Sequence, residues 1–117
     1  MGNEPEETRP ARRYVRVPGP FEGHHVGPPR SAILVYDLNQ GGGLVSFIHA
    51  EPTGSLLELQ IVLPYEGRIT VHAEPVSRQS FGVGVRFVDI DDDTTAKLAR
   101  AVAALARGEL VHRGTLH

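Results

Sequence analysis

The sequence predicts a mainly β fold: a small antiparallel barrel closed by one C-terminal helix. Three observations predict it. Short stretches of alternating or β-branched character are separated by turn residues. One amphipathic stretch follows three consecutive aspartates, Asp91, Asp92 and Asp93. A length of 117 residues with 40% apolar content suits one compact domain and leaves no room for a second.

Taken in order, residues 1–11 are rich in proline and charge and read as a flexible arm. Residues 17–30 hold Pro18, Pro20, Pro28 and Pro29 among glycines, which predicts an irregular or briefly extended segment. Five strands are then expected at 31–37, 43–49, 55–63, 67–74 and 81–88, so the barrel has five or six in all. Leu57, Leu59, Ile61 and Leu63 alternate with Glu58, Gln60 and Val62, and Ile69, Val71 and Ala73 alternate with Thr70 and His72. Both patterns give strands with one buried and one wet face. Residues 64–67, Pro-Tyr-Glu-Gly, would connect that hairpin. The aspartates cap a helix whose stripe of Leu98, Ala101, Val102 and Leu105 faces the barrel, and Gly108 ends it. The domain is expected to span residues 12–108, with a tail at 109–117.

The chemistry concentrates in two places. Arg9, Arg12, Arg13 and Arg16 fall within eight residues, with no acid inside the cluster. The chain has a single lysine, Lys97, so its positive charge is almost wholly guanidinium. A planar fork of donors suits phosphate oxygens and the O6/N7 edge of guanine better than a point charge does. About one strand later comes Asp37-Leu38-Asn39-Gln40-Gly41-Gly42-Gly43, where an Asx residue and successive glycines let a turn reach positive φ and bring backbone close to a ligand. Separately, these are a solvated tail and an ordinary hairpin turn; in this order they describe a two-part anion site.

These residues resemble the PilZ domain, a bacterial receptor module for cyclic di-GMP with the signature RxxxR followed by [D/N]xSxxG. The first motif reads Arg12-Arg13-Tyr14-Val15-Arg16 and leads into Val17-Pro18; the second reads Asp37-Leu38-Asn39-Gln40-Gly41-Gly42. Gly84-Val85-Arg86-Phe87-Val88-Asp89-Ile90-Asp91 is similar to the family's last strand running into its closing helix, so the likeness covers roughly residues 9–107. It implies a six-stranded PilZ-type barrel and a ligand set of Arg12, Arg13, Arg16, Asp37, Asn39, Gly42 and Gly43. In that set Arg12 and Arg16 meet phosphates and guanine, Arg13 supplements them or faces a partner, and Asp37 accepts from guanine N1 and N2. Asn39 stands where the family has serine, and Gly43 is an added glycine. The expected function is a cyclic di-GMP receptor that orders its arginine arm on binding and signals through a protein partner. The two departures motivate the alternative, an adaptor of the same fold that no longer binds the messenger.

Other classes find little support. With no cysteine, disulfides, thiol chemistry and zinc ribbons are excluded, and a reducing cytosol is the compatible compartment. The acidic N-terminus carries no apolar core and no later apolar run reaches spanning length, so neither signal peptide nor membrane insertion is expected. A net charge of −2 argues against a duplex binder, and the few aromatics form no stacking ladder for single strands. The aspartate trio is a cap rather than a calcium loop, and the scattered histidines lack metal-ligand spacing; no metal or cofactor is assigned. No GxSxG elbow and no phosphate-binding loop occur, so the chain is read as a non-enzyme, cytoplasmic and monomeric or weakly dimeric.

Overall fold

The structure is a computed structural model that describes residues 15–28, 30–49 and 51–108. The expected arm and tail, with Arg9, Arg12 and Arg13, lie outside these residues. Six strands and one helix are described: β1 Val17–His25, β2 Ser31–Asn39, β3 Gly42–Phe47, β4 Leu57–Leu63, β5 Gly67–Gln79, β6 Gly82–Val88 and α1 Asp92–Ala106. The strands close into an antiparallel barrel in the order β1-β2-β3-β6-β5-β4.

The interior follows from the alternation in the sequence. Leu57, Leu59, Ile61 and Leu63 from β4 and Ile69, Val71 and Ala73 from β5 are all buried, joined by Ile33, Val35 and Leu38 from β2 and by Val83, Val85 and Phe87 from β6. Period-two spacing puts one set of side chains inside, and a slip by one residue would expose that whole set, so register is held by burial. The turn between β4 and β5 uses Tyr65 at φ 63° and Gly67 at φ 81°, as the Pro-Tyr-Glu-Gly run predicts.

Helix α1 covers the core with Leu98, Ala101 and Val102. Asp91 is its N-cap, its carboxylate accepting from the Thr94 amide at 2.7 Å, and Gly108 at φ 83° ends it as expected. The helix is also fixed to the β4–β5 turn: Arg100 donates to both oxygens of Glu66, at 2.8 Å from Nη2 and 3.1 Å from Nε. That fork holds the Glu66 carboxyl below the ordinary carboxylate range. The Thr94 amide does the same for Asp91.

Three expectations are corrected. Residues 17–25 form a nine-residue strand rather than a brief or irregular piece. The prolines are accommodated because β1 pairs with β4 only at Gly23–His25, so Pro18 and Pro20 lie where a lost N–H costs no second ladder, and the register shifts between Pro18 and Phe21. Strand β5 continues past residue 74 to Gln79, through a bulge between Pro75 and Ser77 that absorbs the proline. The β2–β3 turn is Gln40-Gly41 alone, and the positive-φ glycines are Gly54, Gly67 and Gly108 rather than any of Gly41 to Gly43. Among the histidines, His25 on β1 is buried.

Candidate functional site

Strand order gives the outer face of the barrel an unusual surface. Strands β3 and β6 are far apart in sequence yet adjacent in the barrel, and both are glycine-rich. The paired registers run as two rows across four strands: Asn39, Gly42, Arg86 and Glu74 form one, and Asp37, Leu44, Gly84 and Ser77 the other. All of these but Glu74 line a cleft of about 610 Å³, with Arg16 and Asp37 at one side and Val76 and Phe81 at the other.

Each expected site residue that the structure describes, Arg16, Asp37, Asn39, Gly42 and Gly43, lines this cleft. Arg16 enters just before β1, and its Nη1 lies 3.4 Å from the Asp37 carboxylate on β2. Both partners keep substantial solvent access, so the pair stabilises the fold by at most about 1 kcal/mol. Its value is positional: it holds a guanidinium and a carboxylate side by side at the cleft mouth, a donor fork beside an acceptor.

Asn39 shapes the turn. Its Oδ1 accepts from the Gly41 amide at 2.6 Å, an Asx turn that lets the chain reverse without positive φ. This removes the reason sequence gives for the glycines, and the structure supplies another. A Cβ on Gly42 would stand 2.1 Å from the Val85 carbonyl oxygen, and one on Gly43 would stand 2.5 Å from that of Asp37. Glycine is required because three strands crowd together there.

Sequence reading misses Arg86. It sits on β6 opposite Gly42, lines the cleft, and is ion-paired with Glu74 across the β5–β6 ladder. Alternation in Gly84-Val85-Arg86-Phe87 marks it as outward-facing, but only the non-sequential β3–β6 pairing puts it beside the glycine turn. The cleft thus has a second guanidinium among the described residues, with Arg12 and Arg13 outside them. No group of three or more metal-ligating side chains occurs among the described residues.

The class the chain falls in is thus the small closed antiparallel barrel with a helix packed on its core and a guanidinium-lined outer cleft; no described helix is long and apolar enough to cross a bilayer. The sequence model of the PilZ domain matches residues 7–104, and the chain belongs to the PilZ domain family. Among solved structures it is similar to the PilZ domain of YcgR from Escherichia coli with c-di-GMP, at a TM-score of 0.69 and 17% identity, covering 90% of this chain and 98% of that one. It is also similar to the Bacillus subtilis inhibitor of motility MotI/DgrA, at a TM-score of 0.66 and 19% identity, covering 92% of this chain and 54% of that one. A PilZ domain of CeSA from a cellulose-synthesizing bacterium aligns at a TM-score of 0.59 and 18% identity, covering 79% of this chain and 98% of that one. At these identities the likeness is one of fold. No curated protein matches the chain.

Proposed function

We propose that this protein is a cyclic di-GMP receptor that signals through a protein partner. The observation that carries this reading is the Arg16–Asp37 pair at the mouth of a cleft floored by Gly42 and Gly43. Guanine offers acceptors on its O6/N7 edge and donors at N1 and N2, so a guanidinium beside a carboxylate reads both edges of one base. In this reading Arg16 and Arg12 engage guanine and phosphate, Arg13 supplements them, and Asp37 accepts from N1 and N2. Asn39 keeps its amide nitrogen for a polar contact while its oxygen holds the turn. Family membership and the c-di-GMP complex of the YcgR domain support the choice of ligand.

The signal would arise from ordering. Fixing an arm that carries Arg12 and Arg13 costs roughly 1–2 kcal/mol per backbone residue, which several charge-assisted hydrogen bonds offset together. A ligand that favours the ordered arm shifts the population of surfaces seen by a partner, with no chemistry required.

Calorimetric titration tests this, with cyclic di-GMP, cyclic di-AMP and an Arg12→Ala/Arg16→Ala protein in parallel. Selective, arginine-dependent heat is expected. Silence toward both dinucleotides at high concentration would overturn the receptor reading in favour of an adaptor working through protein contacts alone. That reading draws on Asn39, whose side-chain acceptor is already committed to Gly41 where the family pattern has serine.

A further inference from the structure

The cleft extends beyond the motif residues. From Asp37 the row crosses Leu44 and Gly84 to Ser77, three strand spacings or about 14 Å. Its near end is polar and charged. Its far end is the β5–β6 hairpin, where Val76 and Phe81 are 61% and 59% exposed. Phe81 stands in the turn joining Gln79 to Gly82 and also borders a smaller cleft of about 380 Å³.

The fold has no use for an aromatic ring there. Phe81 is outside the buried core, and a turn position of this kind ordinarily takes a polar residue or glycine. The surface between it and Asp37 is kept low. Gly84 presents no side chain, and a Cβ there would come within 2.4 Å of Ser77 Oγ. A floor of Leu44 and Gly84 that ends at an exposed aromatic is an apolar surface on which a flat ring can lie.

We propose that Phe81 is the stacking platform for the second purine of the bound dinucleotide, with Val76 closing the apolar end. The assignment rests on the receptor reading: the near end of the cleft takes one guanine and a phosphate, and the ring at the far end must belong to the same anion to span the floor. A mononucleotide anchored at Arg16 would not reach it. Phe81 acts by contact with the base face, so it contributes affinity and a preference for two-base ligands without reading the base edge.

The chain contains no tryptophan, so Phe81→Trp installs a single reporter in the cleft. Cyclic di-GMP is expected to bind that variant at least as tightly as wild type and to change its emission, and the change should vanish when Arg16→Ala is added. In calorimetry Phe81→Ala should weaken cyclic di-GMP by roughly 5- to 150-fold, as expected for loss of one base stack on an aromatic, with the melting temperature nearly unchanged. Wild-type affinity in Phe81→Ala, with arginine dependence intact, would overturn the stacking assignment and leave the receptor reading standing. Absence of binding in the wild type would remove both. Should Phe81→Ala lose its cooperative melt, the tryptophan variant decides, and emission unmoved at saturating ligand overturns the assignment.

Discussion

The inside of the barrel and the cleft on its outside are built from the same strands by opposite means. Inside, β2, β4 and β5 present a run of branched aliphatic side chains and the space is filled. Outside, β3 and β6 present Gly42 and Gly84 where neighbouring strands crowd too closely for a side chain, beneath the cleft. In the core a residue acts by the volume it adds, and on the cleft floor by the volume it omits. On the receptor reading, core residues govern stability alone while the cleft residues bear on binding, and substitutions should separate the two.

The largest effect is expected from emptying the interior. Leu59→Ala, at a fully buried position on β4, should cost about 2–5 kcal/mol in chemical denaturation. If ligand affinity fell as steeply in the fraction that remains folded, core and cleft would not be separable. The converse substitution adds volume outside: Gly42→Ala forces a methyl against the Val85 carbonyl and should destabilise by about 1–3 kcal/mol while distorting the turn that carries Asn39. Unchanged stability and binding in that variant would show that β3 and β6 separate freely.

Smaller in stability, and sharper as a comparison, are the arginines. Arg16→Ala should weaken cyclic di-GMP about 10- to 150-fold, the range for losing hydrogen bonds from a charged donor, with almost no change in melting temperature. A large fall in melting temperature without ligand would show that Arg16 belongs to the scaffold. Arg86→Ala should lower affinity less, because that guanidinium is shared with Glu74. Asn39→Ser is expected to bind at least as well as wild type; a clear loss would give the asparagine amide a contact of its own.

The smallest effect lies at two carboxylates that do not line the cleft. Asp91 and Glu66 are held below their ordinary range, by hydrogen bonds from the Thr94 amide and from Arg100 respectively. Each therefore takes up a proton more readily unfolded than folded. Their stabilisation is complete above the ordinary carboxylate range and declines as pH falls through that range toward the lowered folded values. A melting temperature that drops on acidification, with a shallower drop in Asp91→Asn, is expected.

Much of this architecture is legible in the sequence where structure is local. Alternation identifies β4 and β5, the aspartates and Gly108 bound α1, and the arginine and Asx-glycine motifs name one wall of the cleft. What sequence hides is non-local. The prolines of β1 look like breakers until the strand is seen to have one partner along that stretch. Arg86, Glu74, Val76 and Phe81 gain their meaning only when β6 is placed beside β3 and β5 is carried through its bulge. The glycine run is legible as glycine and misread in purpose, since positive φ and close strand packing select the same residue.

The pairing of Arg16 with Asp37 carries a consequence for discrimination among anions. On the receptor reading, a simple anion that draws the guanidinium away leaves the carboxylate to water alone, a cost of at most about 1 kcal/mol for so exposed a pair. A ligand that delivers negative charge to the arginine and N–H groups to the aspartate restores both partners at once. On that reading, an acid placed against the arginine favours, by a small margin, a ligand carrying both negative charge and N–H donors over a simple anion.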